Sequence, residues 1–276
     1  MEPTVAFACK FGSNPFPRAA FTASPHLEWL SIGSSGVDHV VPWDDNKIIV
    51  TNASGVAADE MAQYVIGAIF GLYQSFPYFA KCQAAHSWKY RLIRSATGAR
   101  VGLVGLGHTG EAIAKLCRSV GLQVVACRST GHPSEHVDRV YTSDDLHAML
   151  AAVDVTVVCS ALTPSTRDII DSAAFSAMRK GSYFINVARG GIVVEDALIA
   201  ALHTGHLSGA VLDVTRTEPL PASSPLWDSP NLLITPHTSS EFEGWQARAA
   251  MMFADNLDRW LRGETLRNRV YSDRGY

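Results

Sequence analysis

The chain of 276 residues is long enough for two domains, since domains commonly contain about 100–200 residues. Hydrophobic residues make up 47% of the chain and charged residues 18%, a balance that excludes a disordered protein. The formal net charge of −3 leaves no basic excess that could neutralise a phosphate backbone, so we expect no nucleic-acid partner. The longest apolar stretch, near residues 65–73, is too short to span a bilayer, so we expect no membrane partner.

The five cysteines are scattered along the chain. No two of them form a Cys-x-x-Cys pair, and no cysteine–histidine cluster has the spacing of zinc ligands, so we predict no metal site. The N-terminal sequence MEPTVAFACKFG lacks the charged and then apolar pattern of a secretory signal. An odd number of dispersed cysteines without such a signal is typical of reduced thiols, and it predicts a cytoplasmic protein.

The predicted elements begin with three short strands and a long apolar helix. From about residue 100 onward, β-branched runs alternate with amphipathic segments. Near-continuous apolar strands separated by helices are typical of a parallel sheet that is covered on both faces. The predicted strands are residues 5–9, 27–32, 48–51, 101–104, 124–127, 155–159, 183–187, 210–214 and 232–235. The predicted helices are residues 57–73, 109–120, 144–152, 172–178, 195–203 and 243–262.

A glycine-rich motif lies between a predicted strand and a predicted helix, where residues 101–110 read VGLVGLGHTG. Gly105 allows a tight turn, Gly107 lets the backbone approach a pyrophosphate, and Gly110 lets the helix pack against the strand. The helix N-terminus, which contains His108 and Thr109, offers N–H groups and a partial positive charge to the phosphates. The motif predicts a dinucleotide site, although an ordinary tight turn between strand and helix stays open as an alternative.

The strand after this motif ends without an acidic residue. An enzyme that uses NAD normally has Asp or Glu here, about 20 residues after the glycines, to bind the ribose 2′-hydroxyl. No acidic residue occurs between Glu111 and Glu135. The guanidinium of Arg128, followed by the hydroxyls of Ser129 and Thr130, suits a 2′-phosphate instead. We therefore expect NADPH to be preferred, while NAD stays possible if Arg128 is only a solvated loop residue.

Three charged side chains follow three predicted strands in the C-terminal half. Arg189 occurs in NVARGG, Glu218 in TRTEPL and His237 in ITPHTSS. Loops after parallel strands collect at one edge of the sheet, so the three side chains can meet there. Reduction of a ketone needs a cation that polarises the carbonyl, an acid that protonates the alkoxide and a group that keeps this acid charged. The simpler interpretation is a strand cap, a solvated loop charge and a surface histidine.

Seven passages of the chain resemble the D-isomer-specific 2-hydroxyacid dehydrogenases. They occur in the family's order between residues 33 and 268: GSSGVDHV, VGLVGLGHTG, LTPSTRDII, NVARGGIVVEDAL, GAVLDVTRTEPL, PLWDSPNLLITPH and FADNLDRWLRGETLRN. The C-terminal end, with RWLRGETLRN and RGY, is similar to the glyoxylate/hydroxypyruvate reductase subgroup. The resemblance implies an α/β fold with a Rossmann-type doubly wound parallel sheet and a second, smaller flavodoxin-like substrate domain.

The resemblance also implies roles for the candidate site residues. Arg189 would bind and polarise a 2-oxo acid, His237 would act as acid and base, and Glu218 would pair with His237. The backbone N–H groups near Gly36 and Val37 would bind the substrate carboxylate.

On the cofactor side, the resemblance implies that Thr163 and Ala188 line the cleft and that Asp213 lies near the nicotinamide carboxamide. It further implies a homodimer formed through the cofactor domains. We expect an NAD(P)-binding domain over residues 53–239 and a substrate domain over residues 1–52 and 240–276, with the active site in the cleft between them.

The sequence departs from the family pattern before Gly36, because family members usually have a longer segment there. The substrate domain is apparently truncated at the N-terminus, and the expected loss is its first strand and helix. That strand lies inside a flavodoxin-like sheet, so its loss would leave two strands with unpaired backbone groups. A rearranged domain, cover from a partner chain and a start site placed too late are three alternatives.

The function that we expect is NADPH-dependent reduction of a small 2-oxo acid, glyoxylate or hydroxypyruvate, to the D-2-hydroxy acid. Two alternatives stay open. One is a dinucleotide-sensing, corepressor-like binding protein with little turnover. The other is an NAD-linked dehydrogenase of another substrate, such as phosphoglycerate or phosphite.

Overall fold

A computed structural model describes residues 4–9, 16–129 and 132–274. Thr130, one of the two hydroxyl residues that follow Arg128, lies outside the described residues. The chain divides into two compact units. The first unit comprises Met1–Ala57, Ala161–Pro164 and Glu241–Tyr276, and the second comprises Ala58–Ser160 and Ser165–Ser240.

The described residues form eleven strands and eight α-helices. In chain order these are β1 (Val5–Ala8), α1 (Arg18–Thr22), β2 (Trp29–Ile32), β3 (Ile49–Thr51), α2 (Ala58–Tyr73), α3 (Phe76–Ala84), β4 (Arg100–Val104), α4 (His108–Ser119), β5 (Gln123–Cys127), β6 (Arg139–Tyr141), α5 (Leu146–Ala151), β7 (Val155–Val158), α6 (Ser172–Ala177), β8 (Ser182–Asn186), α7 (Glu195–His203), β9 (Leu207–Leu212), β10 (Leu232–Ile234), α8 (Trp245–Leu261) and β11 (Arg269–Val270). Three short 3₁₀ helices lie between them, at Ser143–Asp145, Gly190–Ile192 and Pro225–Asp228.

The second unit is built on a seven-stranded sheet with the order β10-β9-β8-β7-β4-β5-β6, in which every pair of neighbours is parallel. Its central strands β7 and β8 are buried at every residue, which is why their sequences are mostly apolar. Helix α4 buries one stripe at helical spacing, and α2 packs in the same core. The strand order reverses around β4, so the predicted Rossmann-type doubly wound sheet is confirmed.

The predicted strands and helices recur within a few residues of their expected bounds, and the differences have local causes. Strand β9 starts three residues before its predicted start. The sequence pattern missed these residues because they include Gly209, a residue type that is uncommon inside strands; here the carbonyl oxygen of Asn231 approaches the glycine closely. The sequence did not predict α1, α3, β6 or β11. Helix α1, strand β6 and strand β11 have five residues or fewer, and β6 is an edge strand of only three residues. Within the described residues, no helix combines the length and the apolar character needed to cross a bilayer.

The first unit contains a smaller sheet with the order β1-β2-β3-β11. Strands β1, β2 and β3 are parallel neighbours, and β11 pairs antiparallel with β3. Trp29 is fully buried and donates a hydrogen bond to the hydroxyl of Thr51 at 2.9 Å, while its ring packs against Phe253 and Trp260 of α8. The expectation that two inner strands would lack partners was wrong for the described residues, because β2 pairs directly with both of its neighbours in sequence.

Candidate active site

Three adjacent strands of the second unit, β8, β9 and β10, bring the predicted catalytic side chains to one edge of the sheet. These strands are parallel neighbours, so their carboxyl ends lie side by side. Arg189 follows β8, Glu218 lies in the loop after β9, and His237 follows β10. The topology therefore accounts for the meeting of three residues that are far apart in sequence.

His237 and Glu218 are hydrogen-bonded, with Nδ1 of the imidazole 2.7 Å from Oε2 of the carboxylate. The second carboxylate oxygen, Oε1, accepts a hydrogen bond from the backbone N–H of Thr215 at 3.0 Å. Both side chains stay about one third exposed, at 38% and 37%, so the pair is accessible to a ligand. The carboxylate is anchored at one oxygen and orients the imidazole through the other.

The pKa of Glu218 lies below its usual value. Partial burial alone would raise this pKa. The hydrogen bonds from His237 and from the backbone of Thr215 outweigh burial, and the charges of His237 and Arg189 act in the same direction. Glu218 is therefore held as a carboxylate, and Arg189 is close enough to contribute to that state.

The backbone that carries Arg189 is fixed by Asn186, a fully buried side chain at the end of β8. Its amide oxygen accepts a hydrogen bond from the N–H of Ala188 at 3.0 Å, and its amide nitrogen donates to the carbonyl of Arg189 at 3.1 Å. Nη1 of Arg189 donates to the carbonyl of Ala188 at 2.8 Å. Sequence reasoning did not single out Asn186, although a polar residue that ends an apolar strand was an available indication.

Gly190 allows the loops after β8 and β9 to press against each other. A Cβ at this position would overlap backbone atoms of Thr215 and Arg216, so only glycine fits here. Arg216 adds a second connection, because its backbone N–H donates to Glu195 at 2.6 Å and its guanidinium forms an ion pair with Asp168. The loops that carry Arg189 and Glu218 are thus held in a fixed register.

The loop of His237 is organised by Asp213, which is almost completely buried. Its Oδ1 accepts a hydrogen bond from the N–H of Thr238 at 2.9 Å, and its Oδ2 accepts one from the N–H of Ser239 at 3.0 Å. The hydroxyl of Thr235 also donates to Oδ1, at 2.6 Å. The Asp213 carboxylate therefore binds the loop on both sides of His237.

The glycine-rich turn has the geometry that a dinucleotide requires. Gly105 has φ +107°, and a Cβ there would lie 2.7 Å from the backbone of Ser160. A Cβ at Gly110 would lie 2.6 Å from the carbonyl oxygen of Gly105, so the helix approaches the turn closely. At Gly107, by contrast, no described atom beyond its chain neighbours lies within 4 Å of the Cβ position. The turn leaves open space above Gly107 and fits a pyrophosphate.

The residues expected to read the adenosine end and to start the helix are also in the second unit. Arg128 follows β5, is half-buried and donates its backbone N–H to the carbonyl of Tyr141 at 3.1 Å, and Ser129 is exposed. His108 and Thr109 open α4. The hydroxyl of Thr109 lies 3.8 Å from the sulfur of Met61.

Three predicted site residues belong to the first unit and not to the second. Gly36 and Val37 follow β2, where Val37 is buried and the carbonyl of Gly36 accepts a hydrogen bond from the Ser34 hydroxyl at 3.0 Å. Thr163 is buried in the segment Ala161–Pro164. In the part of the chain that the structure describes, no group of three or more His, Cys, Asp and Glu side chains is arranged to hold a metal ion.

Comparison with known proteins matches residues 66–239 to the family model "D-isomer specific 2-hydroxyacid dehydrogenase, NAD binding domain". The glyoxylate reductase/hydroxypyruvate reductase of Homo sapiens is 30% identical over 270 residues, which cover 94% of this chain and 81% of the relative. A glyoxylate reductase of Thermofilum pendens is 32% identical over 251 residues, which cover 88% of this chain and 74% of the relative.

A solved structure of a D-isomer specific 2-hydroxyacid dehydrogenase from Xanthobacter autotrophicus Py2, in complex with NADPH and MES, is similar with a TM-score of 0.87. It is 35% identical, and the match covers 98% of this chain and 85% of that one. Further relatives include a D-3-phosphoglycerate dehydrogenase of Methanocaldococcus jannaschii and an (S)-sulfolactate dehydrogenase of Chromohalobacter salexigens, so the likeness extends over several substrates. Because the family model matches more than half of the chain, this protein belongs to the D-isomer specific 2-hydroxyacid dehydrogenases, oxidoreductases that use a nicotinamide dinucleotide.

Proposed function

We propose that this protein reduces a small 2-oxo acid of the glyoxylate or hydroxypyruvate type to the D-2-hydroxy acid, with NADPH as its preferred cofactor. The observation that carries the proposal is the 2.7 Å hydrogen bond between His237 and Glu218, which lie beside Arg189 at one edge of the sheet. Relatives named glyoxylate reductase and hydroxypyruvate reductase support the choice of substrate class.

The cofactor would lie along the glycine-rich turn, with its pyrophosphate above Gly107 and at the N-terminus of α4. When bound, it supplies a hydride to the carbonyl carbon of the substrate. In this proposal the cofactor-binding residues are Gly105, Gly107, His108, Thr109, Gly110, Arg128, Ser129, Thr163, Ala188 and Asp213. The NAD(P)-binding domain would span residues 53–239, and residues 1–52 and 240–276 would form the substrate domain.

The substrate would be bound through its carboxylate and its carbonyl oxygen. The Arg189 guanidinium suits the carboxylate and carbonyl oxygens because it presents several N–H donors in a planar fork. It also stabilises the negative charge that develops on the carbonyl oxygen. The backbone near Gly36 and Val37 would hold the other side of the carboxylate.

The proton that completes the reduction would come from His237. Because the Glu218 carboxylate only accepts hydrogen bonds, Nδ1 of His237 carries a proton and Nε2 is the nitrogen left for proton transfer. The forming alkoxide takes the Nε2 proton as the carbonyl carbon gains its hydride. Glu218, which stays ionised because its pKa is lowered, holds the imidazole through the hydrogen bond at Nδ1.

The preference for NADPH rests on Arg128. It takes the place where an NAD-dependent enzyme normally has a carboxylate, and its guanidinium would pair with a 2′-phosphate. The relative from Xanthobacter autotrophicus Py2 was solved with NADPH, which supports the same choice.

We also propose a homodimer formed through the second unit. Residues 87–96 run without helix or strand, and this segment exposes four large apolar side chains, Trp88, Tyr90, Leu92 and Ile93. Exposed apolar side chains in such a group mark interaction surfaces.

Sedimentation equilibrium tests the dimer. The wild-type protein should give twice the chain mass of 29.8 kDa, and Trp88→Ser should shift the measured mass toward that of one chain. Trp227→Ser, which changes another exposed tryptophan, serves as the matched control. A wild-type protein of one chain mass refutes the dimer.

A panel of 2-oxo acids, each assayed with NADPH and with NADH, tests the proposed reaction. Glyoxylate and hydroxypyruvate should give the highest kcat/KM, with NADPH above NADH. Turnover only with a different acid, such as phosphohydroxypyruvate, would contradict the substrate class. Binding of NADPH without turnover of any acid would contradict the proposed reaction itself.

A further inference from the structure

Tyr64 connects helix α2 to the loop of His237, although the two lie far apart in sequence. The phenol oxygen of Tyr64 is 2.6 Å from Oγ1 of Thr235, and this hydroxyl donates to Oδ1 of Asp213 at 2.6 Å. All of these residues belong to the second unit. A continuous hydrogen-bonded chain therefore leads from the middle of α2 to the buried carboxylate beneath the loop.

The direction of this hydrogen-bonded chain follows from counting protons. The Asp213 carboxylate already accepts the N–H groups of Thr238 and Ser239, so both of its oxygens act as acceptors. The hydroxyl of Thr235 donates its only proton to Asp213, so in the second hydrogen bond Tyr64 must donate to Thr235. The pKa of Tyr64 is raised to about 12, mainly by burial; the hydrogen bond to Thr235 acts against this rise, and the charge of Asp213 adds to it. Tyr64 keeps its proton throughout the working range of pH.

The backbone of His237 depends on this chain because it has φ +57°, a left-handed conformation that is uncommon outside glycine. Such a conformation persists only where the surroundings impose it. The N–H of His237 donates to the carbonyl oxygens of Asp213 and Thr235, at 2.7 and 3.0 Å. Thr235 precedes His237 and is also the residue that Tyr64 contacts. Loss of the hydrogen bonds that Thr235 forms with Tyr64 and Asp213 would free the backbone just before the left-handed residue.

We propose that Tyr64 and Thr235 are positioning residues that hold the imidazole of His237 against Glu218. Among the described residues, the hydrogen bond of the His237 ring goes to Glu218, whereas Tyr64 and Thr235 act through Asp213 and the loop backbone. The inference rests on the proposed role of His237 as the acid, but its structural part concerns the orientation of the ring and can be tested without turnover.

Kinetics of hydroxyl deletions test the effect on catalysis. Tyr64→Phe and Thr235→Val should each lower kcat about tenfold, with the KM for the oxo acid nearly unchanged, because a small misplacement of the acid affects the chemical step. Thr235→Ser keeps the hydroxyl and should restore most of the activity. Tyr73→Phe is the matched control, since Tyr73 is a buried tyrosine of α2 that packs on Tyr183 instead.

The ring signal of His237 gives a readout that does not need activity. In a ¹H–¹³C spectrum, the Cε1–H signal is assigned by its loss in His237→Gln. Tyr64→Phe and Thr235→Val should broaden or split this signal, while Thr235→Ser and Tyr73→Phe should leave it as in the wild type. If Tyr64→Phe does not fold, the two Thr235 variants carry the test.

Two results would overturn the inference. One is an unchanged ring signal with unchanged kcat in both deletion variants. The other is an equal loss in Tyr73→Phe, which would indicate a general disturbance of α2. A wild-type protein without turnover would refute the proposed function, whereas the ring signal would still decide the positioning role.

Discussion

Replacement of Gly190 by alanine tests whether catalysis depends on the register of the loops that carry Arg189 and Glu218. A Cβ at this position would overlap the backbone of Thr215 and Arg216. Ordinary contacts begin at 3.4 Å, so the two segments must separate by about 1 Å or more. The atoms in the way belong to the backbone, and no rotation of a side chain can relieve the overlap.

A displacement of this size has separate effects on activity and stability. Misplacement of a catalytic group by about 1 Å costs about 10²-fold in rate, and we expect that loss in the kcat of Gly190→Ala. Overpacking should lower the free energy of unfolding by about 1–3 kcal/mol. That loss corresponds to a Tm lower by about 2–12 °C for a unit of this size.

Steady-state kinetics and thermal unfolding on the same preparations measure both effects. Gly67→Ala is the control, because Gly67 lies on the exposed side of α2 and no described atom comes within 4 Å of its Cβ position. That variant should keep the wild-type kcat and lose no stability. A Gly190→Ala protein with wild-type kcat would show that the close contact between the loops has no part in arranging the site.

Three further predictions concern the carboxylate and the cofactor site. Because the pKa of Glu218 is lowered in the folded protein, its contribution to stability is complete above the ordinary value of 4.5 and is lost as pH falls through the lowered folded pKa. The Tm difference between wild type and Glu218→Gln should therefore shrink on acidification from about pH 6 to about pH 3, and a difference that grows would contradict the sign. Arg128→Asp should move the ratio of kcat/KM for NADPH over NADH toward NADH by about 10–100-fold, and an unchanged ratio excludes Arg128 from phosphate recognition. Gly107→Ala should weaken NADPH binding about tenfold in a titration and leave Tm unchanged, since its Cβ enters the space left for the pyrophosphate. Gly110→Ala should instead lower Tm, because its Cβ would meet the carbonyl oxygen of Gly105. Equal Tm losses in both variants would contradict this division.

The parallel sheet and its glycine turn could be predicted from sequence because their determinants are local. Strands buried on both faces are mostly apolar, as β7 and β8 are, and the turn at Gly105 requires a positive φ. Topology then implied that Arg189, Glu218 and His237 would share one edge, since carboxyl ends of parallel strands meet there. The 2.7 Å contact of His237 with Glu218 agrees with that reasoning.

The supporting residues could not be predicted, because their roles depend on tertiary contacts. Tyr64 reads as one more residue of an apolar helix, and nothing local links it to a loop that lies far along the chain. Asn186 and Gly190 are recognisable in the sequence only as parts of the motif NVARGG, and what each contacts depends on the fold. Strand β6 escaped prediction because an edge strand of three residues that begins with Arg139 has no clear apolar pattern.

Turnover of a His237→Ala variant tests the central claim, that this imidazole delivers the proton, most directly. Loss of a general acid should lower kcat by about 10²–10⁴-fold while NADPH binds with its wild-type Kd. A variant that reduces glyoxylate or hydroxypyruvate at nearly the wild-type rate would remove His237 from the reaction and contradict the account.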